Sequence, residues 1–581
     1  MKKRITAIFC LFVMLAMIVT ACTTTSDTSG TTPTTATKAE TTSSATAPRD
    51  VITIDFMSNA CVPGLVTDLW WSKKIEEDIG VKLNMISFSP ESYNTALAAN
   101  DLPDITKYGS VDFVPNSIAA NALINFDDYT EFLPNLYDQF SQGSLQYQRD
   151  LYGDGEKLYT IPDGMTDEFQ TIGGIEYGWR LNWNYYMEYV EENGEPKLEE
   201  LEDFLPLFKT IQDAHPTNAD GQNTFTITGF PSWDASCQFL FNLVIAEMYG
   251  WNYSMYPLLV NQEDLSYSLI WDDAGPFKRV LKFLFDANQL GLVDPDAVTS
   301  TFEDYTAKIS GGRALAFYAW GNNPDYRLLP FDNMTTSCYN GPWLLGNVNG
   351  GLGLWVSSSG ETEKIERVCE FINYCMDYDN AWYISYGPQG EYWDLNSDGV
   401  PYITELGEQL GEDATLMLAE GGNPAFNSFM GITGYWRNVN PRNVHPKYGV
   451  PFSGGWALRE GAKPKTEAQT SWENYMVEKY KVNFKGNLTD IELLTASDSF
   501  AEPRIVNPTI PDEIKDFQSR MGSVYENFWK LIYAKDQAAF DSLWAETQST
   551  LQAMFDSTGY TAKTLFDIYN NALTENEKYF D

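Results

Sequence analysis

The segment Val51-Ile-Thr-Ile-Asp-Phe56 is a short β-branched run of the kind found in buried strands, and Val81-Lys-Leu-Asn-Met-Ile86 is a second. A helical stretch from Leu65 to Ile79, stopped by Gly80, lies between them. Another helical stretch follows from Ser92 to Asn100. Strand and helix therefore alternate, which predicts an α/β fold with a parallel sheet in the N-terminal part of the chain.

The later part of the chain adds a helical C-terminal region. From Ile514 to the end the pattern is mostly helical, with a break near Gly559. Further upstream, apolar residues repeat at helical spacing around Cys369 and Cys375, so these thiols are expected in a core rather than at a metal or redox site. Residues 50–581 exceed what a single hydrophobic core holds, so two or more packed lobes are expected.

The N-terminus has the features of a secretory signal peptide. Basic residues precede an apolar run from Ile5 to Val19, which is shorter than the roughly 20 residues that cross a bilayer. Val19-Thr20-Ala21-Cys22 resembles the bacterial lipobox, whose cysteine is acylated and becomes the new N-terminus. The Thr- and Ser-rich residues that follow cannot bury apolar surface. We expect a lipoprotein signal peptide at 1–21, an acyl chain such as palmitate on Cys22, a disordered tether at 22–49 and a folded region at 50–581. An ordinary secretory signal with a chance cysteine is the alternative.

Composition narrows the classes of function. The net charge of −42 argues against nucleic acid and polyanionic substrates, because their charges would be repelled. His215 and His445 are the only histidines, so a zinc site built from a histidine cluster is not expected. The sequence has neither a G-x-S-x-G nucleophile motif nor a P-loop. A glycoside hydrolase needs only two carboxylates and stays open as an alternative, as does a surface lectin.

Five motifs follow one another along the chain: Asn100-Asp-Leu-Pro-Asp-Ile105, Gly155-Glu-Lys-Leu-Tyr-Thr-Ile-Pro162, Trp179-Arg-Leu-Asn-Trp183, Lys308 to Trp320, and Tyr386-Gly-Pro-Gln-Gly390. In this order they resemble the extracellular solute-binding proteins of family 1, the lipoprotein receptors of carbohydrate ABC importers. The resemblance implies an α/β, two-lobed periplasmic-binding-protein fold, type II-like, with an interlobe cleft. It also implies a monomeric, non-enzymatic receptor on the extracellular face of the cell membrane. Such a receptor captures an oligosaccharide or other small solute for ABC transporter permease subunits and requires no cofactor.

A sugar site needs flat aromatic platforms beside hydrogen-bonding groups, since sugars have C–H faces and hydroxyl edges. Trp320 is the first candidate, because it follows a predicted strand at Arg313 to Ala319 and precedes a glycine-containing loop. Asp163, which follows the Ile161-Pro162 pair, is a candidate acceptor for hydroxyl protons. The other candidate ligand-binding residues are aromatic and lie near turns: Trp233, Tyr177, Trp179, Trp393 and Trp436. The alternative for each is a core or surface aromatic.

One stretch matches the EF-hand calcium loop. Asp394, Asn396 and Asp398 would supply side-chain oxygens, Val400 a carbonyl and Glu405 two further oxygens. Against this, no amphipathic helix is predicted beside the loop, and the Asp-Gly pair at its centre also favours a plain β-hairpin. A structural calcium ion and a plain hairpin are therefore both open. In the loop from 213 to 223 most of the acidic positions typical of the family are lost, which puts calcium there in doubt.

Overall fold

The computed structural model describes residues 50–579, except for 60, 109–112, 141, 165–178, 232–250, 262–263, 319–322, 324, 330–352, 398, 435, 437, 441–442, 451, 453–465, 481–482, 486–487 and 491–507. Residues 1–49 and residues 50–581 are separate units. The predicted signal peptide, Cys22 and the tether lie outside the described residues. Among the helices that are described, none is both long and apolar enough to span a membrane.

The elements of the second unit are numbered along the chain. The strands are β1 (Ile52–Ser58), β2 (Gly64–Leu65), β3 (Val81–Ser87), β4 (Ile105–Tyr108), β5 (Ile161–Pro162), β6 (Arg180–Asn182), β7 (Trp251–Met255), β8 (Leu258–Asn261), β9 (Tyr267–Leu269), β10 (Ala316–Phe317), β11 (Tyr326–Leu328), β12 (Gly353–Val356), β13 (Trp393–Leu395), β14 (Pro401–Ile403), β15 (Asn483–Lys485) and β16 (Leu488–Asp490). The α-helices are α1 (Trp70–Ile79), α2 (Pro90–Ala99), α3 (Val114–Ala119), α4 (Pro134–Asp138), α5 (Gln142–Tyr152), α6 (Trp183–Asn193), α7 (Phe204–Ala214), α8 (Pro276–Gln289), α9 (Phe302–Ser310), α10 (Thr362–Met376), α11 (Tyr378–Tyr386), α12 (Glu405–Glu412), α13 (Phe429–Ile432), α14 (Glu467–Tyr480), α15 (Asp512–Ile532), α16 (Gln537–Asp556) and α17 (Ala562–Asn576).

Two large hydrophobic cores divide this unit into two lobes. The core of lobe 1 is built from residues in the ranges 54–161 and 354–452. The core of lobe 2 is built from residues in the ranges 179–329 and 468–569. Each lobe is therefore assembled from two separate stretches of chain, and the chain passes between the lobes three times.

The N-terminal strands and helices confirm the predicted alternation. β1 and β3 pair in parallel, from Ile52 with Val81 to Ser58 with Ser87. Helix α1 begins at Trp70, five residues later than predicted, because Leu65 belongs to the short edge strand β2 instead. The helix ends where expected: Gly80 has φ 62 and its N–H caps the carbonyl of Glu76, a left-handed conformation in which glycine carries no Cβ penalty.

The lobe 1 sheet is mixed rather than purely parallel. Its strand order is β2-β3-β1-β4-β12-β5. β1, β3 and β4 are parallel, whereas β12 runs antiparallel between β4 and β5. The parallel pairing predicted for the N-terminal part is thus confirmed for β1, β3 and β4, whereas the short edge strand β2 is antiparallel. β12 returns from lobe 2, and the sequence pattern did not indicate that it joins this sheet.

Helix α10 packs into the lobe 1 core and carries both predicted core thiols. Cys369 and Cys375 have no solvent exposure, which confirms the prediction. Burial raises the pKa of Cys369 to about 12 and that of Cys375 well above its ordinary value. Neither thiol therefore carries thiolate character at neutral pH, and both behave as small apolar side chains.

Lobe 2 is mostly helical, as the sequence predicts for the C-terminal region. The long helices α15, α16 and α17 pack around a shared apolar core, and Gly559 breaks the chain between the last two with φ 79. Helices α6, α7 and α8 join them, together with two three-stranded sheets of order β10-β6-β11 and β7-β8-β9.

Candidate functional site at the sheet edges

The carboxyl ends of β1, β4 and β5 meet at one edge of the lobe 1 sheet, where the antiparallel strand β12 begins. Ser58 of β1 is paired with Lys107 of β4, and Lys107 is paired with Leu354 of β12. Leu354 is in turn paired with Ile161, two residues before Asp163. In open α/β sheets, ligands bind outside the carboxyl ends of strands, because loops there can be shaped freely on a rigid base. This edge is the candidate site of lobe 1.

Polar side chains are concentrated at this edge and are nearly inaccessible to solvent. The Lys107 ammonium is 1% exposed and donates a hydrogen bond of 2.7 Å to the carbonyl of Gly434. The Asn440 amide, also 1% exposed, donates one of 3.1 Å to the carbonyl of Gly164. The segment that contains Gly434 and Asn440 is thereby fixed over the strand ends.

Asp163, the predicted acceptor, lies at this edge, where the chain leaves β5. Its side chain is 1% exposed, so solute would reach it only after the covering chain moves. Sequence reasoning did not single out Lys107 or Asn440. The signal for Lys107 was present, because it follows Ile105 by two residues in the strand and so lies on the same face as a core residue. A cation at such a position is unusual enough to mark a site.

Lobe 2 presents a corresponding edge. The extended segment that ends at Thr228 pairs in parallel with the chain at Ala314 and with the chain at Val293. Thr228 therefore lies beside Asp294, close to Phe317 of β10. The predicted strand from 313 to 319 is shorter than expected, with β10 limited to Ala316–Phe317. Two ranges outside the described residues continue from this edge along the chain. Residues 319–322 follow β10, and residues 232–250 follow the Thr228 segment.

A buried ion pair holds the lobe 2 edge together. The Asp294 carboxylate accepts hydrogen bonds from the Lys308 ammonium at 2.6 Å and from the Thr228 hydroxyl at 2.9 Å. The side chain of Asp294 is 1% exposed and that of Lys308 is 11% exposed. Lys308 also donates to the Ser300 hydroxyl at 2.9 Å, and the Tyr533 hydroxyl donates to the Asp294 carbonyl. The network ties α9 and the Thr228 segment to the Asp294 carboxylate, and it ties Tyr533, the residue after α15, to the Asp294 backbone carbonyl.

Three predicted ligand platforms lie outside the described residues. They are Trp320, Trp233 and Tyr177, and each stands in a stretch that continues from one of the two edges. Tyr177 precedes β6 in the stretch by which the chain passes from Asp163 to lobe 2. Trp320 follows β10, and Trp233 follows the Thr228 segment.

The structure corrects the other three aromatic candidates, which are core residues. Trp179 is 4% exposed, with the rings of Phe208 and Tyr318 at centroid distances of 5.2 and 5.5 Å. Trp436 is 1% exposed beneath β1, and its ring lies 5.7 Å from that of Phe56. Trp393 is 3% exposed, and its indole N–H donates to the carbonyl of Gly387. Because the protein itself surrounds these rings, they offer no free face to a ligand.

The EF-hand-like stretch forms a β-hairpin. β13 and β14 pair antiparallel, with Asp394 opposite Tyr402. The Asn396 side chain accepts a hydrogen bond of 2.9 Å from the Val400 N–H, which closes the turn from within the chain. Contrary to expectation, a helix does follow, since α12 begins at Glu405. Asp398 lies outside the described residues, and calcium at these five positions stays a prediction.

His445 belongs to an aromatic cluster in lobe 1. Its ring is 1% exposed and lies 4.4 Å from the ring of Tyr448 and 5.4 Å from that of Trp382. Burial lowers the pKa of His445 below its ordinary value. The imidazole is thus neutral at physiological pH, and its Nδ1 accepts a hydrogen bond from the Lys447 N–H.

No protein-family model matches this chain, and no curated protein does. Solved structures do. The Streptococcus pneumoniae ABC-transporter substrate-binding protein FusA in complex with kestose is similar over 90% of this chain and 99% of its own, with a TM-score of 0.54 and 15% identity. An EF-hand mutant of FusA in complex with fructo-nystose gives a TM-score of 0.50 at 14% identity, over 91% and 99% of the two chains. An HMO-binding, ABC-transporter-associated solute-binding protein from Bifidobacterium longum infantis gives 0.52 at 12% identity, over 90% and 99%. The chain therefore has the two-lobed fold of the solute-binding proteins of ABC transporters, as its motifs predicted.

Proposed function

We propose that this protein captures an oligosaccharide between its two lobes and delivers it to the permease subunits of an ABC importer. The observation that carries the proposal is similarity over nine-tenths of the chain to solute-binding proteins whose names specify kestose and HMO. The role is binding and not catalysis.

The chemistry at the two edges fits a hydroxyl-rich, uncharged solute. Asp163 and Asn440 are buried at the lobe 1 edge, and their carboxylate and amide groups would exchange hydrogen bonds with sugar hydroxyls once the covering chain has moved. Trp320, Trp233 and Tyr177 would supply stacking faces from the stretches that continue these edges. Ligand favours closure of the lobes only to the extent that it binds the closed form more tightly than the open form.

The proposed location is the outer face of the cell membrane, with the protein held by lipid on Cys22 and acting as a monomer. Metabolic labelling with a palmitate analogue should tag the wild-type protein, and Cys22→Ala should lose the label and move to the soluble fraction, because two or more acyl chains are needed for stable anchoring. Cys10→Ala, which alters the other cysteine of the N-terminal region, should keep both properties. Label that persists in Cys22→Ala would exclude the lipobox reading.

A melting screen tests the proposed ligand class. Residues 50–581 should melt at a higher temperature with a cognate neutral oligosaccharide, since a ligand at 100 times its Kd adds about 2.7 kcal/mol to the free energy of unfolding. Oligosaccharides of uronic acids, matched in length, should give no shift because the chain is strongly acidic. Shortened products recovered after incubation would indicate a glycoside hydrolase instead. A screen without any shift among neutral oligosaccharides would reject carbohydrate as the ligand.

A further inference from the structure

The last helix of the chain is anchored in lobe 2. Leu565 and Tyr569 of α17 are fully buried in the lobe 2 core, at 0% and 1% exposure. Phe566 stacks on Tyr267 of β9, with ring centroids 4.6 Å apart and planes 20° apart. Burial of these side chains fixes α17 to the β7-β8-β9 sheet, and the helix therefore moves as part of lobe 2.

The residues after α17 contact lobe 1. A 3₁₀ turn at Glu577–Tyr579 lies against α5, whose Leu145 belongs to the lobe 1 core. The Tyr579 hydroxyl and the Lys578 ammonium both donate to one Asp150 carboxylate oxygen, each at 2.6 Å. We call this contact between residues 577–579 and α5 the C-terminal latch.

The latch is close-packed as well as charged. The ring of Tyr579 is 7% exposed and meets the Tyr147 ring edge-on at 5.2 Å. The backbone of Gly143 approaches so closely that a Cβ there would lie 1.9 Å from the Tyr579 carbonyl oxygen. Partial burial alone would raise the pKa of Asp150, but hydrogen bonds from Lys578 and Tyr579 lower it below its ordinary value. The carboxylate is therefore charged at neutral pH and available to both donors.

We propose that the C-terminal latch sets the angle between the two lobes. The three chain passages between the lobes are covalent and persist at any angle, whereas the latch is a reversible contact whose two ends belong to different lobes. A change in the interlobe angle must either break it or carry α5 along with α17. Because interfaces of this kind have discrete packed and unpacked states, the latch favours one angle over others.

A pair of glycine substitutions tests this without removing any charge. Gly143→Ala places a methyl group where the Tyr579 carbonyl lies, so the latch must detach. Gly522→Ala is the matched control, because it lies within α15 with open space around its Cβ position and alanine favours helix. Small-angle scattering of residues 50–581 without ligand should show a wider distance distribution for Gly143→Ala, while Gly522→Ala and wild type agree. Hydrogen exchange in the last turn of α17 should rise by about tenfold only in Gly143→Ala.

Charge variants give an independent test on the protein surface, where folding is not at risk. Asp150→Asn removes the negative charge that both donors of the latch share, whereas Asp567→Asn removes the charge of a more exposed carboxylate that pairs with Lys563 within α17 itself. The first should widen the scattering distribution and the second should not. Identical scattering curves for wild type, Gly143→Ala and Asp150→Asn would overturn the proposal. Since no ligand is involved, this result is independent of whether the solute is a sugar.

Discussion

Trp320→Ala is expected to weaken oligosaccharide binding by about 30- to 1000-fold, because truncating a buried aromatic at a binding site commonly costs about 2–4 kcal/mol. The reason is position: Trp320 follows β10, which ends at the lobe 2 edge beside Thr228 and Asp294. A pyranose face on the indole would bury apolar area that alanine cannot replace. Titration calorimetry of wild type and variant with the oligosaccharide found by the melting screen gives the ratio.

The matched control is another tryptophan whose surroundings are known. Trp393 is packed against Trp382 in the lobe 1 core, so Trp393→Ala should lower the free energy of unfolding by about 3–5 kcal/mol. Trp320→Ala should leave the melting temperature of the unliganded protein nearly unchanged. Unaltered affinity together with a large fall in melting temperature would assign Trp320 to the core, as the structure has done for Trp179 and Trp436.

Lys308→Met should reduce the free energy of unfolding by about 3–5 kcal/mol, because it leaves the Asp294 carboxylate buried without its cation. The Thr228 hydroxyl would remain as a donor to that oxygen, but a neutral donor does not offset the desolvation of a charge. Urea denaturation followed by circular dichroism measures the loss. Since Thr228 leads into the stretch that contains Trp233, ligand affinity should fall as well.

Two further variants test whether burial of the ion pair causes this loss of stability. Lys282→Met breaks a pair with Asp286 on α8 in which both side chains are more than one third exposed, and should change stability by less than about 1 kcal/mol. The double variant Lys308→Met with Asp294→Asn should recover part of the loss, because the uncompensated charge is gone. If the double variant lost as much free energy of unfolding as Lys308→Met and Asp294→Asn lose together when measured singly, the two residues would not be coupled through the ion pair.

The sequence predicts the fold of this protein better than it predicts the residues of the site. Local patterns were sufficient where consecutive elements pack on one another: β1, α1 and β3 fall where alternating strand and helix signals place them. β12 was missed because its partners, β4 and β5, precede it by the whole first stretch of lobe 2. Periodicity reports on neighbours within a few residues and carries no information about pairing at that distance.

Site residues were harder still, for a physical reason. Trp179 and Trp393 stand beside turns, and so do residues that line clefts, but a tryptophan next to a turn can point into the core as well as out of it. Its amphipathic indole satisfies one hydrogen bond in either place, as the bond from Trp393 to the Gly387 carbonyl shows. Buried polar side chains at strand ends, such as Lys107, were the better marker, because apolar periodicity gives no reason for a cation there.

The position of β12 has a consequence for how the protein matures. In the sheet it lies between β4 and β5, so until it arrives these strands have unpaired hydrogen-bonding edges. A chain emerging from its N-terminus must therefore produce the first stretch of lobe 2 before lobe 1 can close its sheet. The nascent molecule passes through a stage with open strand edges, the condition under which chains associate wrongly or recruit chaperones. Folding of lobe 1 thus depends on synthesis of the first stretch of lobe 2, and truncation before Gly353 would leave β4 and β5 with unpaired, aggregation-prone edges.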